Sequence, residues 1–232
     1  MRKQGELDMQ WPELSAAFKQ VPLPEGYRYA QLRRGDVPVL RAAIAEWYPD
    51  VSVGAASCYL EEDFYETTAT LAGEAERDLL IVLIWKGDEL AGFVSWDRER
   101  AQQALYGRFG VISPAHRGAK ISTCMMQLGE TIARAMGAGF IYTLATLKVA
   151  SMQLALERAG YQLLGIAPGY DRELVAPGIV KRVYEAWYAK VLVPEDELLR
   201  PDPAKMTPKT RELFQLLFPH FFQPSEPPKG AA

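Results

Sequence analysis

Cysteine and histidine are nearly absent, with two of each in 232 residues: Cys58 and Cys124, His116 and His220. The two cysteines form no Cys-x-x-Cys pair and no closely spaced framework of a small secreted domain, so both are read as free thiols in a reducing compartment. The two histidines have no cysteine or carboxylate cluster around them, and no metal is expected. A cationic excess is missing as well. A formal net charge of -3 leaves no field to neutralise a nucleic-acid backbone, which removes nucleic acid from the expected partners. Long apolar runs are also lacking: no uncharged stretch approaches a membrane span, and Met1 to Trp11 carries Arg2 and Lys3 but no signal-peptide core. The expectation is a cytoplasmic protein with no membrane partner.

What is present is an ordinary globular composition, 49% hydrophobic and 24% charged. The length suits one domain with extensions. Residues 1–24 end in Pro22-Leu23-Pro24 and read as an extended lead-in. Residues 25–193 read as the domain, and 194–232 as a proline-rich C-terminal extension with one capped helix between Thr207 and Phe218.

Within the domain, Tyr27 to Leu32 reads as a strand, followed by Asp36 as an N-cap with Pro38 in the first helical turn. Val37, Leu40, Ile44 and Trp47 then mark one face of a helix. Leu60 to Leu71, acidic at its start, is a second helix. Leu79 to Trp85 and Leu90 to Trp96 make a hairpin through Lys86-Gly87-Asp88-Glu89. Ala104 to Ile112 is the next strand. The strongest helix carries Ile121, Met125, Leu128, Ile132 and Ala135 as its stripe and ends at Gly137 and Gly139. Phe140 to Thr146 follows as a strand, giving a parallel crossover. A short helix from Ser151 to Ala159 stops at Gly160. Tyr161 to Ile166 and Val180 to Val191 are closing strands, with Ala167 to Gly178 read as a loop because it holds Pro168, Gly169, Pro177 and Gly178.

The informative segment is Val111-Ile112-Ser113-Pro114-Ala115-His116-Arg117-Gly118-Ala119-Lys120-Ile121-Ser122-Thr123. A strand feeds a tight loop that opens a helix, whose first turn has backbone N–H groups without intrahelical partners. With a dipole of roughly half a positive charge, such a turn is an anion site. Gly118 lets a phosphate approach the backbone, and Arg117, Lys120, Ser122 and Thr123 add charge and hydroxyls. The spacing matches neither a P-loop nor a dinucleotide glycine motif. On this segment alone, an ordinary loop with a solvated Arg117 is the alternative.

The order of elements, the Arg117 to Ser122 loop and the helix ending Leu156-Glu157-Arg158-Ala159-Gly160-Tyr161 together resemble the GNAT superfamily of acyl-coenzyme A-dependent N-acyltransferases, over about residues 25–193. The loop is similar to the Q/R-x-x-G-x-G/A signature. The resemblance implies an α/β fold, a mixed and mostly antiparallel sheet flanked by helices, with two central parallel strands that splay apart. It implies acetyl-coenzyme A as cofactor, with its pyrophosphate on Arg117, Gly118, Ala119, Lys120, Ile121 and Ser122 and its pantetheine arm along Val111, Ile112 and Ser113. Backbone N–H groups at the splay would stabilise the oxyanion. The acceptor would be the amine of a small molecule or peptide.

The chain departs from that pattern at several positions. Lys120 stands at the signature's central Gly and Ser122 at its last small residue. The Asn often found at the start of the later helix aligns with Val149, leaving Ser151 as the nearest polar substitute. The usual strand Glu and helix Tyr align with Arg108 and Leu156, neither of which can do that acid–base work. Tyr106 and Tyr170 are then the candidate proton donors, with packing as the alternative for each. Asp171 and Glu173 are candidates for ammonium recognition or for a base acting through water, with a solvated loop face as the alternative. Lack of the usual Glu and Tyr leaves a rival open, a non-catalytic acyl-coenzyme A-binding regulatory module. Cys124 reads as core. The Phe214, Phe218, Phe221 and Phe222 tail is read as covering the body or a second copy in a homodimer.

Overall fold

The computed structural model describes residues 9–222, and the chain divides into two compact units at Leu192/Val193. The first unit is built on a seven-stranded sheet of order β1-β2-β3-β4-β5-β7-β6. Its strands are β1 Tyr27–Gln31, β2 Leu79–Lys86, β3 Glu89–Glu99, β4 Ala104–Ile112, β5 Phe140–Thr146, β6 Gln162–Ala176 and β7 Ile179–Val191. Every neighbouring pair is antiparallel except β4 with β5. The helices of this unit are α1 Leu14–Gln20, α2 Val37–Trp47, α3 Glu62–Thr68, α4 Ile121–Ala135 and α5 Ala150–Arg158.

The unbroken apolar run of β2 is explained by cover on both faces. Leu80, Val82 and Ile84 pack with Trp96, Leu105, the α4 residues Ile121, Met125, Leu128 and Ile132, and Leu156 of α5. On the other face Leu79, Ile81 and Leu83 pack with Phe93, Val111, Leu40 and Ile44 of α2, Tyr59, and Tyr65 of α3. Helix α4 lies close to the sheet because Gly129 has no side chain; a Cβ there would fall 2.6 Å from Trp96 Nε1.

Three expectations are corrected. The lead-in is not simply extended: Leu14–Gln20 is helical, with the Glu13 carboxylate accepting from the Ala16 N–H, and Met9, Ala17 and Val21 belong to the core. Leu14, Ala17, Phe18 and Val21 form an apolar stripe that the following prolines masked. The acidic helix is shorter than Leu60 to Leu71, running Glu62–Thr68 after a 3-10 turn at Ser57–Leu60. Ala167 to Gly178 is not a loop. It continues β6 as far as Ala176, with pairing to β7 interrupted between Pro168 and Asp171 and again between Leu174 and Ala176. Because β6 is the outermost strand, Pro168 costs the sheet no central ladder bond.

In the second unit, Thr207 caps α6, Pro208–Leu217, by accepting the Thr210 N–H. Phe214 gathers Phe218, Phe221 and Phe222 at ring-centroid distances of 5.0, 5.2 and 5.8 Å, so these aromatics cover one another.

Candidate functional site

The site begins where the two parallel strands part. β4 pairs with β5 only from Ala104–Phe140 to Gly107–Thr143. Beyond that level Phe109 to Ile112 pair with β3 alone, and Leu144 to Thr146 with β7 alone. The inner backbone edge of β4 from Arg108 to Ile112 therefore faces an open gap. Local chemistry fixes the last shared rung: the Thr143 hydroxyl donates to Gly107 O at 2.6 Å. A bulge in β4, with Arg108 as the extra residue opposite Ser95/Trp96 of β3, bends the β3–β4 pair at the same height, and the Ser95 hydroxyl donates to Phe109 O at 2.9 Å.

Val111 and Ser113 are buried while Ile112 is half-buried. After Ser113 a 3-10 turn, Pro114–His116, carries the chain to Arg117, and α4 starts at Ile121. The first helical bond runs from the Cys124 N–H to Lys120 O. Among the described residues the N–H groups of Gly118, Ala119, Lys120, Ile121, Ser122 and Thr123 therefore have no acceptor. Gly118 adopts φ 84° and Lys120 φ 63°, so the loop turns through the left-handed region twice. A Cβ on Gly118 would meet nothing within 4 Å, which leaves its amide face open. Arg117 and Lys120 are exposed, and neither joins an ion pair among the described residues. A row of free donors with two uncommitted cations is arranged to hold an anion with several oxygens.

The loop is pinned from below. His116 is buried, and its Nδ1 shares a hydrogen bond of 3.1 Å with the Tyr27 hydroxyl. Glu89 lies 3.1 Å from His116 Nε2, off the line of the ring N–H, so it does not satisfy that nitrogen as a hydrogen-bond partner. Across the gap, Ser151 is exposed in the first turn of α5.

On the face of the sheet that carries α2, an aromatic and acidic cleft adjoins the gap. Tyr106 stacks on Tyr142 with centroids 4.9 Å apart, and Tyr142 meets Trp187 at 5.8 Å. Burial, joined by the neighbouring Tyr170, pushes the Tyr106 phenol well above its ordinary value. Tyr170 itself is 52% exposed. Arg108, at the position where the resemblance expects a Glu, is engaged by Asp97 at 2.8 Å and lies over the Tyr59 and Phe64 rings. Leu156, where it expects a Tyr, is fully buried in the core.

Strand β6 roofs the cleft. Asp171 Oδ1 accepts the Ala55 N–H at 2.8 Å, and a Cβ on Gly54 would fall 2.2 Å from Arg172 O, so only glycine permits this approach. Glu173 is buried, held by Lys148 at 2.6 Å and by the Tyr48 hydroxyl at 3.4 Å. Lys148 also binds Asp50 at 2.7 Å. The structure thus brings Tyr106, Tyr170 and Glu173 to one side of the gap.

Sequence reasoning passed over Glu185. On β7 it stands opposite Thr146 of β5 and Ala167 of β6, and among the described residues its carboxyl has no hydrogen bond or ion pair. Burial first, then the charges of Asp171 and Glu173, push its carboxyl up to about 7. The available signal was the alternate row Val183, Glu185, Trp187, Ala189, where one carboxyl interrupts apolar positions.

Cys58 and Cys124 are free thiols, both pushed up by burial. Among the described residues no group of His, Cys, Asp or Glu is placed to hold a metal ion, and no helix is long and apolar enough to cross a membrane.

The acetyltransferase (GNAT) family matches residues 40–161, just over half of the chain. No curated protein matches. Among solved structures, the ribosomal L7/L12 alpha-N-protein acetyltransferase RimL in complex with coenzyme A is 13% identical, covering 74% of this chain and 97% of that one with a TM-score of 0.57. The spermidine N-acetyltransferase from Vibrio cholerae, a dodecamer, is 11% identical over 72% of this chain and 95% of that one, with a TM-score of 0.56. Nourseothricin acetyltransferase is 20% identical over 72% and 98%, with a TM-score of 0.51. At these identities the likeness is one of fold.

Proposed function

The chain belongs to the GNAT family of acetyltransferases, enzymes that use acetyl-coenzyme A, and from that premise we propose that it transfers the acetyl group to the primary amine of a small molecule or peptide. The observation that carries this reading is the run of six unpartnered amides, Gly118 to Thr123, set beside the parting of β4 and β5. The residues present fit the cofactor. Free amides and the open face of Gly118 suit a pyrophosphate, with Arg117 and Lys120 as its counterions. The free edge of β4 at Val111 and Ile112, continuing into Ser113, suits an extended amide-bearing arm laid as an added strand. Ser151 lines the opposite rim. When bound, acetyl-coenzyme A supplies an acyl thioester, an acetyl donor that an amine can attack.

The protein's part is to orient the two reactants and to manage charge. Backbone N–H groups on the open edge of β4 are positioned to take up negative charge on the acetyl oxygen. Tyr106 and Tyr170 furnish hydroxyls for the departing sulfur. Asp50, Asp97, Glu99, Asp171, Glu173 and Glu185 surround the cleft against Arg108 and Lys148, which favours a cationic acceptor. The acceptors in the names of the structural neighbours, a protein N-terminus and spermidine, are amines of this kind.

The test pairs binding with turnover. Replacing Arg117→Ala together with Gly118→Val should weaken acetyl-coenzyme A binding by at least about tenfold in calorimetry, the loss expected for a charge-assisted phosphate contact. Free-thiol release with a panel of primary amines should exceed release without amine. Unchanged binding in the double variant, or no amine-dependent release from protein that binds the cofactor, would overturn the reading.

A further inference from the structure

We infer that Glu185 is the general base of this transfer, receiving the proton of the acceptor's ammonium group from the β7 side of the gap. The inference rests on the proposed amine acetylation. Its ground is the register of β5 with β7, unbroken from Phe140–Val191 to Thr146–Glu185. Directly opposed residues share a face and alternate residues repeat it, so Glu185 lies on the face of Trp187 and Tyr142, whose rings touch. Tyr106 stacks on the same Tyr142. Because β4 and β5 stop pairing at Gly107–Thr143, the level of Thr146 and Glu185 is where the gap stands open.

Among the described residues this carboxyl has no counterion of its own. From β6 it is faced by Asp171 and Glu173, and from β4 by Tyr106, beside which Tyr170 lies. Lys148, the nearby cation ahead of α5, is already bound by Asp50 and Glu173, with Tyr48 against Glu173. An entering ammonium group supplies the missing partner. Burial and those two acids bring the group to about 7, where a base changes charge in the working range. The positions at which the family pattern would place acid–base groups are engaged elsewhere, Arg108 with Asp97 and Leu156 in the core.

In the step itself, the N–H proton passes to the Glu185 carboxylate and frees the nitrogen lone pair. That pair forms the amide bond to the acetyl carbon as the carbon–sulfur bond breaks. The sulfur leaves with the electron pair and takes a proton from the Tyr106 or Tyr170 hydroxyl, and the second nitrogen proton, released as the amide forms, returns to that phenolate; the two protons lost by the ammonium thus end on Glu185 and on the thiol, and charge balances.

The experiment compares wild type with Glu185→Gln. In wild type, kcat/KM should fall as pH drops through about 7, because protonation removes the base. Glu185→Gln should lower kcat/KM at about pH 8 by roughly 100-fold or more and abolish that limb, with acetyl-coenzyme A affinity unchanged. A second readout needs no ligand. The folded carboxyl is raised from 4.5 to about 7, so between those values the native state holds a proton that the unfolded chain has released, and stability falls as pH rises. Glu185→Gln should therefore match wild type in Tm at about pH 4 and exceed it at about pH 8. Glu185→Asp, which keeps a carboxyl, should retain the limb at a reduced rate. A Glu185→Gln enzyme with the wild-type rate and limb overturns this assignment alone. Wild-type protein that binds acetyl-coenzyme A yet acetylates no amine overturns the amine reading, and this assignment with it.

Discussion

Lys120 occupies the left-handed region, φ 63°, at the position where the family signature places glycine. Two opposing consequences can be separated by replacing it with glycine. Holding a side chain in that region costs roughly 1–2 kcal/mol, and glycine would recover this, less about 0.4–1 kcal/mol for the greater freedom of its unfolded chain. The net gain is about 0.5–1 kcal/mol, equivalent to a rise in Tm of roughly 1–4 °C for a chain of this size. The same substitution removes an exposed cation beside the free amides of α4. An exposed charge pair is worth about 0.2–1 kcal/mol, so acetyl-coenzyme A affinity should fall up to about fivefold, and the difference should narrow with added salt. Lys120→Ala isolates the charge: it should lose the same affinity without gaining the Tm. Thermal unfolding of the unliganded protein and calorimetric titration at two salt concentrations read both effects. A lower Tm for Lys120→Gly would refute the strain argument; equal affinity for all three proteins at low salt would refute the role of the cation.

Two other substitutions probe the scaffold around the site. Lys148→Met leaves the buried Glu173 carboxylate with only the Tyr48 hydroxyl, so chemical denaturation should show a loss of about 1–3 kcal/mol, and an unchanged midpoint would mean the cation contributes nothing there. Gly129→Ala places a Cβ 2.6 Å from Trp96 Nε1; an overpacking cost of about 1–3 kcal/mol outweighs the helix-propensity gain of about 1 kcal/mol. The expected result is a lower Tm with a perturbed near-UV tryptophan signal, and a stabilised variant would show that α4 and the sheet separate without loss.

Much of the fold was legible because its central elements carry periodic apolar patterns with clear stops. Ala104–Ile112 and Phe140–Thr146 were read to the residue, and of the α4 stripe Ile121, Met125, Leu128 and Ile132 pack on the sheet while Ala135, its expected end, is exposed. The anion loop was legible too, since a strand, a glycine and a helix start follow one another in sequence. What was not legible depends on distant partners. Pro168 and Gly169 signal a loop locally, yet β7 supplies a ladder that carries β6 past them as an irregular edge strand. Glu185 stands among Lys181, Arg182 and Tyr184 in sequence, and looks like an ordinary surface residue until pairing with Thr146 brings it to the gap. Glu173 read as a solvated acid because its cation, Lys148, comes from another part of the chain.

The placement of acid–base groups then follows from what each strand beside the gap must also do. Arg108 on β4 ties Asp97 of β3 and lies over Tyr59 and Phe64, so it braces the segment before and within α3 against the sheet. A carboxylate there would lose those ring contacts and face Asp97 across a paired strand. On β7, by contrast, the next strand outward is β6, whose Asp171 and Glu173 are already fixed to residues 48–55 and 148 and need nothing from Glu185. That side can keep a carboxyl unpaired where β4 cannot. The arrangement destabilises the fold above neutral pH, as an uncompensated acid must, and such local cost is the usual companion of a group held ready for a substrate's charge rather than for its neighbours.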